Sequence, residues 1–453
     1  MRPFNHLYSW LMPLMTLLLS CSADRSDRIA SNGYSAPGVS TTPIDAQGNP
    51  LADGSAGGPG AGGAVSGAGT PTISSGDCET AAGTTDLDLD GFSPADGDCN
   101  ECSPQINPGA FDFPENGHDE DCVGGDASQA ELDCDQGLSA TSSDPEDAAR
   151  AMGLCKFTTE QSGQWGVISA RFTRASGGGS IESPTMVGVP PRFGAVEPRQ
   201  GGSVLVISTG VARDYTQPGF TDSCDDFGGG GFLGLGGNTG MAPAGYPKES
   251  SSCSGGGGSP GGILIGNPVF GSDSVVYNDV ALHLRLRVPT NANSFAFDSM
   301  FYTYEYPDFI CSAFNDFFVV MKTPTPAGVP DGNILFDQNG DPVGVNNALL
   351  DVCVPQTAGG KSFPCSQGTG LLAQTGFGSG ESSCAEEGAG VSGQPGASTG
   401  WLNTTAPADA GEVIEVRFIL WDTNDAILDS TSVIDNFRWS VDEPQVETTA
   451  III

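Results

Sequence analysis

Asp86-Leu87-Asp88-Leu89-Asp90-Gly91-Phe92 sets three carboxylates on alternate residues ahead of a glycine. This is the spacing of positions 1, 3 and 5 in an oxygen-ligand calcium loop. Hard cations take six to eight oxygens, and alternate side chains of a curled loop converge on one point. Gly91 stands where such a loop turns sharply, and the carbonyl of Phe92 is the expected next ligand. Position 12 is Gly97, so the bidentate Glu of an EF-hand is missing and Asp96 or Asp98 has to close the site. No flanking helices are evident. The competing reading is an acidic linker without an ion.

A second set of carboxylates lies far along the chain. Asp422, Asp425, Asp429 and Asp435 fall at the end of one predicted strand and around the start of the next. With Glu305 or Asp316 contributing, they could hold a second calcium ion. Equally, Asp in such places caps turns by accepting backbone amides. Glu305 with Asp422 or Asp435 would also serve as a glycosidase carboxylate pair if the two flanked a deep cleft. Tyr302, Tyr304, Tyr306 and Phe309 suggest either a sugar-stacking platform or ordinary core. A Ser-His-Asp triad is poorly supplied, because the chain has only His6, His118 and His283.

The elements that position these residues read as β-strands. In Val413 to Trp421, Ile414, Val416, Phe418 and Leu420 point one way, Glu415 and Arg417 the other. In Ala281 to Val288, Leu282, Leu284 and Leu286 face in, while His283, Arg285 and Arg287 face out. This period of two marks half-buried antiparallel strands. Similar runs occupy residues 167–173, 203–209, 294–304, 314–321 and 431–439. Asp144-Pro145-Glu146-Asp147 opens one short helix. With 66 Gly and 32 Pro, the expected fold is all-β, a large antiparallel sandwich of jelly-roll type over 136–442. A small Cys-rich, acidic, loop-dominated segment at 77–135 precedes it, too poor in apolar residues to fold without disulfides or metal. Residues 443–453 are expected as a tail.

Charge and cysteines bound the setting. The 453-residue chain carries 17 Lys plus Arg against 55 Asp plus Glu, a net charge of -38. That balance repels phosphate backbones and argues against nucleic-acid binding. No Lys or Arg occurs from Ile29 to Ala149. Arg2, the apolar run Leu11 to Leu19 and Leu18-Leu19-Ser20-Cys21 read as a lipoprotein signal over residues 1–20, with Cys21 lipidated. Plain secretion is the alternative. Lipidation of Cys21 leaves 12 of the 13 cysteines to pair in an oxidising compartment. Residues 21–76, rich in Ser, Gly, Pro, Ala and Thr, cannot bury enough apolar surface to fold and are expected to act as a disordered tether.

Two family resemblances add to this reading. Asp86-x-Asp88-x-Asp90-Gly91-Phe92, Gly97-Asp98-Cys99-Asn100, Asn107-Pro108-Gly109-Ala110 and Asn116-Gly117-x-Asp119-x-Asp121-Cys122 resemble the metal-binding motif of MopE-related bacterial surface proteins. The resemblance implies that Asp119 and Asp121 join the ligands. It departs at Glu101, where the family has Asp after the Cys-Asn pair. Copper favours imidazole and thioether ligands, and the segment offers His118 alone and no Met, so an all-oxygen calcium site fits better. The larger region, from Ala149 to Leu154 through Trp165 to Ala170, Phe301 to Pro307, Asn315-Asp316-Phe317 and Trp421 to Phe437, resembles the choice-of-anchor L domain family of surface proteins. Together these imply a non-enzymatic, calcium-binding surface lipoprotein of the outer membrane or cell surface, engaged in adhesion or envelope interactions with polysaccharide or protein. The alternatives are a polysaccharide-binding module and a secreted carbohydrate-active enzyme.

Overall fold

The computed structural model describes residues 83–221, 239–248, 250–253, 275–382 and 394–452. The signal with Cys21, the tether, and Cys78, Cys224 and Cys384 lie outside the described residues. Everything described belongs to one compact unit, Pro71–Ile453.

Period-two patterning becomes strands where the chain predicts them. In chain order these are β1 (Gly166–Thr173), β2 (Val187–Gly188), β3 (Leu205–Ser208), β4 (Thr239–Gly240), β5 (Val276–Arg287), β6 (Ser294–Thr303) and β7 (Phe317–Thr323). There follow β8 (Gln356–Ala358), β9 (Lys361–Phe363), β10 (Ala397–Ser398), β11 (Leu402–Pro407), β12 (Val413–Thr423), β13 (Ser430–Ser440) and β14 (Glu447–Ala450). One antiparallel sheet has the order β1-β5-β12-β7, with β4 on β5. The other runs β14-β11-β6-β13-β3-β2, with β10 on β6, and β8-β9 form a separate hairpin.

Together the two sheets form an all-β sandwich. Leu282, Leu284 and Leu286 of β5 and Val416, Phe418 and Leu420 of β12 share one core with Phe295 and Phe297 of β6. The Phe297 and Phe418 rings meet edge to face, centroids 5.0 Å apart, across the two sheets. Complete burial of each such side chain contributes about 2 kcal/mol. The outward neighbours cover one another: His283 takes Arg171 of β1 on one side and Glu415 of β12 on the other. The one α-helix among the described residues, Pro145–Ala151, is capped by Asp144, which accepts from the Glu146 N–H at 2.9 Å. Its Ala148, Ala149 and Ala151 are buried in the sandwich core.

Two expectations about domain edges change. The acidic segment borrows the sandwich's core: Phe111 packs on Trp165 at 5.1 Å, and its backbone pairs twice with Asn291 at 2.8 Å. The Cys134–Cys155 disulfide joins the two regions covalently. The expected tail instead supplies β14, an edge strand on β11, because Thr448 and Thr449 suit a pleated surface and Ile451 packs against apolar residues of the sandwich.

Candidate metal centre

Curling of the acidic loop is written into its backbone. Leu89 and Gly91 both take positive φ, 66° and 97°, and Asp86 holds the turn by accepting from Leu89 N–H at 2.6 Å and Gly91 N–H at 3.0 Å. Each following carboxylate accepts a nearby amide through one oxygen: Asp90 from Phe92 at 2.8 Å, Asp98 from Asn100 at 2.8 Å, and Glu101 from Leu87 at 2.7 Å. The result is convergence. Asp86, Asp88 and Asp90 each bring an oxygen within 4.8 Å of the others, and Asp88, Asp98 and Glu101 do the same. Asp88 belongs to both groups, so four carboxylates gather around it and five are joined in all.

Four oxygens of this cluster are buried without a hydrogen-bond partner: Oδ2 of Asp88, Asp90 and Asp98, and Oε1 of Glu101. Asp98 and Glu101 are only 6% and 4% exposed. Burial, then the neighbouring negative charges, raises Asp88 and Glu101 above the usual carboxylate range, and burial lifts Asp90 to about 6. Such an arrangement of orphaned, mutually repelling oxygens suits a hard cation.

Asp96 stands outside this group. Its Oδ2 accepts from Ser93 N–H at 3.2 Å and Ser93 Oγ at 2.6 Å, closing a turn, so of the two residues expected to close the loop only Asp98 joins the carboxylate group. Phe92 donates its N–H to Asp90 and packs its ring against Gly109, where a Cβ would meet it at 2.9 Å. Asp119 and Asp121 form a separate cluster with Asp112. There Asp119 accepts from Val123 and Gly125, and Lys156 approaches Asp121 at 3.8 Å. Burial, then the adjoining Glu120, lifts Asp112 to about 6. The Cys99–Cys122 disulfide ties the two clusters' loops together.

Glu101 and Asp112 were not anticipated as ligands. Glu101 had a signal, since a Glu four residues beyond loop position 12 can replace the missing one if the loop is longer. Asp112, within Phe111-Asp112-Phe113, had none.

At one end of the sandwich most of the second carboxylate set lies in one region, though no three of its residues bring oxygens within 4.8 Å of one another. The ladders explain it: Trp421 pairs with Phe317, so the next step sets Asp422 opposite Asp316, and Ser430 pairs with Thr303, which sets the start of β13 beside the end of β6, where Glu305 follows. Asp316 accepts from Thr423 N–H at 3.2 Å and Ser430 Oγ at 2.6 Å. Asp422 accepts from Asn278 at 3.3 Å, and Asp425 from Ile427 N–H at 3.4 Å. Burial, then the charges of Asp316, Asp425, Asp422 and Asp308, raises Glu305 well above its ordinary range. Burial likewise raises Asp422 strongly, Asp316 to about 8 and Asp425 to about 7.

Asp435 does not join them. It lies five residues along β13 from Ser430, about 17 Å at the rise of a strand, opposite Asp298. It accepts from the N–H groups of Arg199 at 2.5 Å and Gln200 at 3.2 Å, and burial lifts it to about 7. Nor do the tyrosines form a platform. Tyr302, Tyr304 and Tyr306 are 0%, 4% and 1% exposed; Tyr302 and Tyr304 pack on Phe377, Tyr306 on Phe363. They are core, as alternating aromatics on a central strand usually are. Glu305 and Asp422, at 1% and 0% exposure, do not flank an open cleft as a glycosidase pair must. Comparison with protein-family profiles, with curated proteins and with solved structures finds no match for this chain.

Proposed function

We propose that this chain is a non-enzymatic, calcium-stabilised surface protein, exported and lipid-anchored through Cys21, that serves adhesion or envelope interactions. One observation carries the calcium reading: Asp86, Asp90, Asp98 and Glu101 converge on Asp88, and four oxygens of these five carboxylates are buried with no partner. No Lys or Arg between Ile29 and Ala149 is available to neutralise them. Asp86, Asp88, Asp90, Asp98 and Glu101, with the Phe92 carbonyl, make an all-oxygen set of the size calcium takes. Asp112, Asp119 and Asp121 form a neighbouring set of the same chemistry.

The surface reading rests on the Cys21 signal and on the disulfides. Cys99–Cys122, Cys134–Cys155, Cys253–Cys311 and Cys353–Cys365 are all bridged, and Cys102 is disulfide-bonded as well. Disulfides at this density belong to oxidising compartments, where calcium is also abundant. Calcium titration by calorimetry on the protein and on the Asp88→Asn/Glu101→Gln variant tests the loop site. Binding in the micromolar-to-millimolar range that the variant weakens at least tenfold supports it; equal heats from both proteins refute it. Metabolic labelling with a palmitate analogue, lost in Cys21→Ala, tests the anchor.

A further inference from the structure

We infer that a pocket of about 570 Å³, where the acidic segment meets the sandwich, binds a neutral sugar unit of a surface polysaccharide. Its polysaccharide partner follows from the surface reading proposed above; none of the five carboxylates joined at Asp88 takes part. Phe111 and Leu132 close the pocket from the acidic segment, Trp165 and Trp439 from the sandwich side. Arg199 and Arg438 also line it, their side chains 34% and 42% exposed. Ligand pockets span about 300–1,000 Å³ and combine mostly apolar walls with a few polar groups.

Strand geometry is altered at this place. Asn436, Phe437, Arg438 and Trp439 all line the pocket, although in a regular strand only alternate residues share a face. The cause is a bulge: the pairing of β13 with β6 shifts register between Asp435 and Arg438, and Asn436 takes φ 55°. Bulges re-aim side chains and concentrate beside active sites. Here one brings an amide and a guanidinium onto the same hollow as two aromatic rings.

The polar groups around the hollow are only partly spent. Arg199 uses Nε on Asp298 at 3.2 Å, and Arg438 uses Nη1 on Asp298 at 3.5 Å and on the Asn436 carbonyl at 3.0 Å. Their other guanidinium N–H groups make no hydrogen bond among the described residues, nor do the side chains of Gln200 and Asp133, which also line the pocket. Trp165 and Trp439, 8% and 5% exposed, end in indole N–H groups without a partner, where buried indoles ordinarily have an acceptor.

Charge selects the class of occupant. Asp298, 1% exposed, already answers both guanidiniums. Asp133 lines the pocket, Asp135 lies so close behind Gly201 that a Cβ there would meet its carboxylate at 2.7 Å, and Asp435 accepts the Arg199 N–H. An anion therefore finds no surplus of positive charge, and a cation meets two arginines. A hydrocarbon chain would leave the pocket's polar groups unpaired. A sugar answers each demand: every hydroxyl both donates and accepts, so neighbouring hydroxyls pair with guanidinium, amide and carboxylate while the apolar ring face rests on the aromatic wall.

The test is affinity electrophoresis of the full chain, in calcium, through gels containing dextran, mannan or galactan, with polygalacturonate as the acidic contrast. At least one neutral polysaccharide should retard the protein, and oligosaccharides cut from it should change the tryptophan emission, since Trp165 and Trp439 line the pocket. Asp133→Ala/Gln200→Ala should lose at least tenfold in affinity and keep its melting temperature, because neither side chain bonds another group of the described chain. No retardation by any neutral polysaccharide, retardation by polygalacturonate alone, or an emission that oligosaccharides leave unchanged overturns the pocket. So does equal retardation of the double variant. Asp88→Asn/Glu101→Gln should be retarded like the unaltered protein, so failure of the pocket and failure of the calcium loop are read separately.

Discussion

Loop and sandwich solve the same problem, gathering carboxylates, by opposite means. In the acidic loop the aspartates spend oxygens on backbone N–H groups a few residues away, and only Glu101 reaches further, back to Leu87, so the cluster is largely local and set by a curled chain. In the sandwich the carboxylates come from just past β6, just before β7, the end of β12 and the loop before β13, up to about 120 residues apart, and are placed by ladder register. Exposure differs accordingly: the loop is partly open to solvent, whereas Glu305, Asp316 and Asp422 are essentially sealed. Water can soften repulsion in the first case and not in the second. On the proposed reading a cation would neutralise the loop carboxylates, whereas in the sandwich burial itself pushes Glu305, Asp316, Asp422 and Asp425 toward their neutral forms. Spacing differs too, since among the described residues only the loop groups bring three carboxylate oxygens within 4.8 Å.

The largest expected effect follows from that contrast. Chelation should lower hydrogen-exchange protection most at 86–101 and leave the β12–β13 corner, around residues 422–430, unchanged. Uniform loss, or loss confined to the corner, would break the comparison. Next comes Gly210→Ala, which should destabilise by about 2 kcal/mol because the new methyl collides with Asp429; denaturant unfolding measures it, and a neutral result would show the corner to be loose.

Removing the Cys99–Cys122 bridge with paired serines should cost about 3 kcal/mol from the chain-entropy term. It should also weaken calcium binding to the loop, which calorimetric titration of the serine variant measures. A smaller effect separates Glu101 from Asp96. Glu101→Gln should reduce loop affinity about tenfold, about 1.4 kcal/mol, and Asp96→Asn should leave affinity unchanged, since Asp96 only closes the Ser93 turn.

The smallest expected effect is a pH dependence remote from either cluster. Arg171 donates to His283 Nδ1 at 2.8 Å, and a guanidinium only donates, so the ring proton sits on Nε2, facing Glu415 at 3.1 Å. Burial first, then Arg171 and more weakly Arg417, lowers the imidazole pKa; Glu415 opposes them without prevailing. The unfolded chain therefore takes up this proton first as pH falls below about 6.5. Stability that His283 lends above that pH is lost beneath it. His283→Gln should flatten the stability-against-pH curve between about 6.5 and 5, and an identical slope in both proteins would refute the assignment.

How much of this was legible in the chain depends on the range of the signal. Strands β5 and β12 were plain because alternation is a property of neighbouring residues, and the loop's Asp86, Asp88 and Asp90 were plain for the same reason. Glu101 was half visible: its distance from Gly91 exceeds the familiar loop, and only the fold shows that its side chain returns to Leu87 N–H. Glu305 and Asp316 could be suspected but not joined, because their meeting with Asp422 depends on which strands pair and in what register. Asp435 shows the converse error, proximity in sequence mistaken for proximity in space when a strand carries the residue away. The tyrosines were misleading for a related reason, as period two on a strand buried on both faces marks no exposed side.

The most direct test of the account is calcium titration of the chelator-stripped protein by calorimetry, with thermal unfolding in calcium and in chelator. The account predicts binding in the micromolar-to-millimolar range or tighter, and a melting temperature that rises with calcium. No heat of binding and identical melting curves would contradict it, leaving the carboxylates as charge without a cation.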